Sequence, residues 1–450
     1  MIESITIRRL DGDAAVDALT RRGEQPEPAL PQAILDRNAE IFGRPMTAHE
    51  VVERIVQDVH AEGDAAVRRY TELFDNRTLD RIEVPRATWQ AALASIDPEL
   101  RSAMEIAAER IRSFHQRQVR QSWIETERLG VFGQLIRPLE RIGIYTPGGS
   151  AALPSSLLMT AIPARVAGVE EIIISAPPRG EDGISPVILA AAEIAQVDRV
   201  FAIGGAQAIA ALAFGTESVP RVDKICGPGN IFVALAKQRV SGSVAIDQIA
   251  GPTETLVIAD ETADVELVAA DMIAQAEHDV LASAILITTS SELADRIPAE
   301  LTRQAAELER REIILRSLEA NGVIAVVDSP AAAIDLANAY APEHLCLLVR
   351  DPWALVPKVR NAGGIFVGEA SPEALGDYTA GPSHVMPTSG TARFSSPVNV
   401  GDFQKVISLA AANDAAIAEL GAATIALAKA EGLTGHARAI ERRLRRNITG

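Results

Sequence analysis

Gln275 and His278 sit three residues apart in a stretch where Val265, Val268, Met272 and Ala276 recur at helical spacing, so the pair projects from one side of a helix beginning near Asp264. An amide and an imidazole in that relation can hold one metal ion, or can form an ordinary polar helix face. Glu343 and His344 follow Pro342, which stops a helix opened by Ser329-Pro330, and lead into the apolar strand Leu345 to Val349. A carboxylate beside an imidazole offers two proton acceptors of different strength, suited to a reaction that strips protons from more than one oxygen; a solvated loop edge has the same composition. Asp377 offers an oxygen ligand within Gly376-Asp377-Tyr378-Thr379-Ala380-Gly381-Pro382-Ser383-His384, where glycines and proline shape a tight loop. Glu431 and His436, five apart across Gly432 and Gly435, do not share a helical stripe but fit a helix start from which they could reach a site elsewhere. The other histidines, His49, His60 and His115, lie in helical stretches without a ligand pattern beside them and read as surface or capping residues.

The elements that must position these groups show two blocks of alternation. Between Arg141 and Asp260, short apolar runs alternate with alanine-rich helical segments, the rhythm of a parallel sheet covered by helices. The expected strands are Ile142 to Tyr145, Glu171 to Ser175, Arg199 to Ile203 and Lys224 to Cys226. The loops Tyr145-Thr146-Pro147-Gly148-Gly149, Gly204-Gly205-Ala206-Gln207 and Gly227-Pro228-Gly229-Asn230 lie after strands, where ligands of such sheets bind. None is the three-glycine dinucleotide fingerprint, so plain turn chemistry stays open beside nucleotide binding. A second alternation runs from Thr253 to Val367, with strands at Thr255 to Ile258, Ala284 to Thr288, Val323 to Val327, Leu345 to Val349 and Ile365 to Val367. Ahead of both blocks come a strand-like Ser4 to Arg8, the polar stretch Gln25 to Pro31, a helical pattern from Thr47 to Phe74, and a charged helix from Pro98 to about Gln121. From Asp402 an alanine-rich helical segment carries the chain to Ile448 and could lie across a partner subunit.

With 48% hydrophobic and 23% charged residues over 450, the chain has the apolar material for large packed cores. A formal charge of -17 opposes binding to nucleic acid or anionic membrane surfaces, and the terminal run Arg442, Arg443, Arg445, Arg446 reads as a solvated helix end. Neither a secretory leader nor an apolar run of membrane-spanning length is seen, so a cytoplasmic protein is expected. Cys226 and Cys346 are too few for a disulfide framework or a thiolate zinc cluster and read as buried thiols.

Five strings occur together in one order: Ile144-Tyr145-Thr146-Pro147-Gly148-Gly149, Gly204-Gly205-Ala206-Gln207-Ala208-Ile209-Ala210, Gly227-Pro228-Gly229-Asn230, Gln275-Ala276-Glu277-His278 and Ala341-Pro342-Glu343-His344-Leu345. In these the chain resembles the histidinol dehydrogenase family, from the N-terminal arm to the last helix. The resemblance implies an α/β fold with two Rossmann-like parallel-sheet domains, an N-terminal helical arm and a C-terminal helical tail, in an intertwined homodimer. The divisions it suggests are 1–40 for the arm, 41–144 plus 253–398 for the domain with catalytic and zinc residues, 145–252 for the domain with NAD-contacting loops, and 399–450 for a tail reaching the partner protomer.

It further implies zinc- and NAD-dependent oxidation of L-histidinol to L-histidine through bound L-histidinaldehyde, the end of histidine biosynthesis. The zinc ligands, one ion per subunit, would be Gln275, His278, Asp377 and His436, the last from the second protomer. His344 would take protons as hydride leaves, and Glu343 would activate water against the aldehyde. Thr253, His384 and Glu431 match substrate contacts, joined by Gln275, His278, His344, Asp377 and His436; Tyr145, Gln207 and Asn230 match NAD contacts. The chain departs from the commoner pattern at Thr253, where serine is frequent, and at Pro382-Ser383, where asparagine often precedes the histidine. Two other readings are a related zinc- and NAD-dependent dehydrogenase of another short alcohol, and a zinc hydrolase in which Glu343 activates water and the glycine loops are structural.

Overall fold

The structure, a computed structural model, describes residues 5–20, 32–147, 153–178 and 183–448. Gly148 and Gly149 of the first glycine loop, and the stretch Gln25 to Pro31, lie outside the described residues.

Strands rich in valine, isoleucine and leucine on both faces need cover on both sides, and each alternating block meets that need with an all-parallel sheet. The six-stranded sheet has the order Arg8–Asp11, Val323–Val326, Ser283–Thr288, Glu254–Ala259, His344–Leu348, Gly364–Val367. Successive residues of one strand go to opposite sides. Val257 and Ala259 join a core with the helices Val265–Ala276, Ser291–Ala305 and Arg311–Asn321, while Leu256 and Ile258 join one with Gly12–Thr20 and Pro330–Tyr340. The five-stranded sheet runs Arg199–Phe201, Glu171–Ser175, Arg141–Tyr145, Lys224–Cys226, Ala245–Ile246. The parallel strands expected from the second block are found within a residue or two of their expected limits, and those of the first likewise.

Several expectations are corrected. The N-terminal segment is not a free arm over its described part: Arg8–Asp11 pairs with Val323–Val326 as an edge strand, and Ala15 and Leu19 of the helix behind it are buried. The helices Ala48–Glu62, Asp64–Asp75 and Pro98–Gln116 pack on the five-stranded sheet. Helical periodicity reveals which stripe is buried, here Val51, Ile55, Val59 and Val67, but not which sheet receives it. His115, expected at the surface, is fully buried, with Nδ1 2.8 Å from the Ile111 carbonyl. His49 and His60 are exposed.

The segment from Asp402 does not begin as a helix. Gln404–Ala412 is a strand, antiparallel to Gly130–Pro138, which also pairs with Trp123–Glu127. Val406 and Ile407 favour extended backbone, and the helical run starts only where the Asn413 side chain accepts the Ala416 amide. The helices Asp414–Ala430 and Thr434–Ile448 then pack on one another.

Candidate active site

In a parallel sheet the helix after a strand runs back toward the amino ends of the strands. Thr253 precedes the strand Glu254–Ala259, Gln275 ends the returning helix Val265–Ala276, and Glu343 precedes the neighbouring strand His344–Leu348, whose first residue registers with Thr255. The topology therefore brings Thr253, Gln275, Glu343 and His344 to one sheet end. Thr253 donates its hydroxyl to Glu343 Oε2 at 2.7 Å, and Gln275 Nε2 donates to Thr253 Oγ1 at 2.7 Å. The Glu254 amide also donates to Glu343 Oε2, at 2.9 Å. Burial raises the Glu343 carboxyl to about 7 against the pull of His344 and its hydrogen bonds.

His344 is buried, with Nδ1 3.0 Å from the Glu254 carbonyl, which orients the ring and turns Nε2 toward the site. Nε2 has no hydrogen-bond partner; Asp377 Oδ1 lies 3.6 Å away, an ion-pair distance. Burial works against the His344 charge, but the carboxylates of Asp377, Glu343 and Glu373 overcome it and raise the imidazole to about 10. Burial likewise opposes ionisation of Asp377, yet His344, His384 and His278 hold its carboxyl below the ordinary range. His384 completes this group, with Nδ1 2.6 Å from the Asp377 carbonyl and Nε2 3.2 Å from Ser156 Oγ.

His278 is exposed, and its Nδ1 lies 2.9 Å from the Ala274 carbonyl, which leaves Nε2 as the nitrogen that could ligate. Of the four expected metal donors, Gln275 bonds to Thr253 within this cluster and the Asp377 carboxyl feels the His278 imidazole; an amide oxygen, an imidazole nitrogen and a carboxylate are donor types that zinc accepts. No group of three His, Cys, Asp or Glu able to hold a metal is present among the described residues. His436 and Glu431 are both exposed at the junction of the last two helices and bond to nothing in the cluster.

The glycine loops open at the other end of the five-stranded sheet, the carboxyl end. Tyr145, Gln207 and Asn230 line one cavity of about 470 Å³, with Val51, Phe74 and Asp75 on the facing wall. Gln207 is 1% exposed, yet neither its amide nitrogen nor its oxygen has a partner, the mark of a buried polar group that waits for a ligand. Tyr145 accepts the Gly205 amide on its hydroxyl at 3.2 Å. The Asn230 side-chain oxygen caps the helix Ile231–Val240, accepting from Phe232 and Val233. Gly227 has φ +104°, and a Cβ there would stand 2.1 Å from the Tyr145 carbonyl, so the loop can pass the strand only as glycine. A buried pair, Lys237 with Asp247, clamps that glycine: Asp247 Oδ2 accepts its amide at 2.7 Å and Lys237 donates to its carbonyl at 3.0 Å.

Sequence reasoning missed Glu373, Thr255, Ser156 and Asp75. Glu373 had a signal: it lies four residues before Asp377, on the same face of the short helix Glu373–Tyr378. The others carry no local mark.

A family model described as histidinol dehydrogenase matches residues 43–444. A histidinol dehydrogenase from Deinococcus radiodurans is 52% identical over 439 residues, covering 97% of this chain and 99% of the relative. One from Thermus thermophilus is 50% identical over 397 residues, covering 88% of this chain and 95% of the relative. The crystal structure of histidinol dehydrogenase from Elizabethkingia anophelis superposes with a TM-score of 0.91 at 35% identity, each chain covered in full. On the extent of this agreement the chain belongs to the histidinol dehydrogenase family of oxidoreductases.

Proposed function

We propose that the chain oxidises L-histidinol to L-histidine through L-histidinaldehyde, reducing two NAD, at the end of histidine biosynthesis. The observation that carries this reading is the meeting of Thr253, Gln275, Glu343, His344 and Asp377, far apart in sequence, at one sheet end. Gln275, His278 and Asp377 would hold a zinc ion with His436 from a second copy of the chain. When bound, zinc supplies an electrophilic anchor for the amine and imidazole nitrogens of the substrate.

Each oxidation removes a hydride from carbon and a proton from oxygen. His344, oriented by the Glu254 carbonyl, takes that proton at Nε2 in its neutral form, which would prevail with Asp377 engaged as a metal ligand instead of holding the imidazolium. Glu343, held by Thr253 and the Glu254 amide, takes a proton from the water that adds to the aldehyde, and the resulting hydrate is again an alcohol for the second oxidation. NAD, the hydride acceptor, would be held by Tyr145, Gln207 and Asn230, which line one cavity of suitable size where the unpartnered Gln207 amide offers a donor and an acceptor.

A homodimer with shared sites is supported by the exposed Glu431 and His436, and by Leu427 and Phe394, which are 67% and 80% exposed in the single chain. We read the two parallel sheets as two Rossmann-like units. Among the described residues no helix is long and apolar enough to cross a membrane, in keeping with a cytoplasmic enzyme. The test is NADH formation from L-histidinol, L-histidinaldehyde and a panel of other alcohols. Two NADH per histidine are expected; preference for an alcohol without imidazole, or zinc binding without any NADH formation, would overturn the reading.

A further inference from the structure

Five side chains form an unbroken row through the site. Glu373 Oε2 is closely bonded to Thr255 Oγ1; Thr255 Oγ1 lies 3.0 Å from Gln275 Oε1; Gln275 Nε2 lies 2.7 Å from Thr253 Oγ1; and Thr253 Oγ1 lies 2.7 Å from Glu343 Oε2. Glu373, Thr255, Gln275 and Glu343 are all buried.

Four hydrogen bonds need four protons. Each threonine hydroxyl supplies one and the amide nitrogen supplies one toward its neighbour, which makes three. The fourth belongs to one of the two carboxyl groups, so the row holds together only with a single proton shared between Glu373 and Glu343. Two arrangements satisfy the count. With the proton on Glu373, the bonds run Glu373 to Thr255 to the Gln275 oxygen, then from the Gln275 nitrogen to Thr253 to Glu343. With the proton on Glu343, every bond reverses and the amide of Gln275 is turned over.

The surroundings choose between them. Glu343 Oε2 accepts a further hydrogen bond from the Glu254 amide, and His344 Nδ1 stands 3.7 Å away, both favouring the carboxylate. Glu373 has no backbone amide donor of this kind: its Oε1 is unpartnered and it is 1% exposed. Burial raises both carboxyls above the ordinary range, which fits one of them keeping a proton.

We propose that Glu373 keeps its proton and sets the direction of the row, a positioning residue that leaves Glu343 ionised and fixes which way the Gln275 amide faces. This rests on the reading of Glu343 as the base that activates water. Glutamine at 373 still donates to Thr255, whereas methionine, of similar length, donates nothing.

The zinc-loaded dimer is compared as wild type, Glu373→Gln and Glu373→Met for kcat and KM on L-histidinaldehyde, zinc content and Tm. The infrared difference spectrum of wild type against Glu373→Gln is also recorded. Glu373→Gln should keep kcat within about threefold, while Glu373→Met loses about tenfold or more in kcat with KM little changed. The difference spectrum should show loss of a protonated-carboxyl stretch. Equal loss in both folded variants, full activity in Glu373→Met, or absence of that stretch in the wild type overturns the proposal. A wild type that forms no NADH from the aldehyde would sink the functional reading instead, and the infrared comparison would still decide the proton's place.

Discussion

Glu343 Oε2 and Thr253 Oγ1 are 2.7 Å apart although ninety residues separate them, and the contact exists because their strands are neighbours in the six-stranded sheet. Thr253 joins the returning helix to the neighbouring strand. Its hydroxyl receives the Gln275 amide and donates to Glu343, so Thr253→Val leaves the buried Gln275 amide nitrogen without a partner and removes one of the two hydrogen bonds on Glu343 Oε2. A loss of about 1–3 kcal/mol in transition-state stabilisation is expected, with Thr253→Ser close to wild type. Steady-state kinetics on both substrates decide this.

Glu343→Gln should slow aldehyde oxidation about 100-fold while alcohol oxidation falls much less, because the first hydride transfer needs no activated water. Single-turnover measurements with each substrate separate the steps. Equal loss in both would remove Glu343 from its proposed role.

His436→Ala is expected to lower zinc content and activity without changing the fold, since the residue is exposed and unbonded in the single chain. Mixing His436→Ala with His278→Ala subunits should restore part of the activity, as a hybrid dimer then holds one complete ligand set. Elemental analysis showing full zinc in His436→Ala, or no recovery on mixing, would count against a shared site.

Gln207→Leu offers a contrast between function and stability. The buried amide has no partner in the unliganded chain, so removing it should leave Tm unchanged or raise it. NADH binding, followed by calorimetry, should weaken about tenfold or more, because a ligand group then faces leucine. Unaltered NADH affinity would exclude Gln207 from the nucleotide site.

Asp75 provides a pH signature. Burial raises its carboxyl from 3.8 to about 6, with Arg37 opposing. Because the folded chain holds the proton more tightly than the unfolded one, this stabilisation is full below the unfolded value and disappears as pH rises through about 6. Asp75→Asn should therefore melt higher than wild type above pH about 6, and the advantage should vanish near pH about 4. Tm values that differ equally at both pH values would contradict the assignment.

Lys237→Met leaves Asp247 as an uncompensated charge, both side chains being 3% exposed, and should cost about 3–5 kcal/mol. Denaturant unfolding measures it, and the double variant with Asp247→Leu should recover much of the loss.

The inner strands of both parallel sheets were legible because each is a short apolar run followed by a turn residue, a pattern carried by neighbours in the chain. The edge strand Arg8–Asp11 and the strand Gln404–Ala412 were not, since one is polar and largely exposed and the other is flanked by alanine-rich helix. His115 illustrates the same limit: its own surroundings are helical and charged, and its burial comes from packing of that helix against the five-stranded sheet and the segment around Val398.

Residue types and their order determined the family resemblance, the positions of the sheets, and the short roster of groups able to ligate, accept protons or bind nucleotide, because motifs and periodicity are local properties of a chain. Only the tertiary structure decided which of those groups meet, which face of each is desolvated, and that Glu373 and Thr255 belong with them. Hydrogen-bond direction and acidity depend on neighbours supplied by other strands and helices, and those neighbours exist only once the sheets have formed.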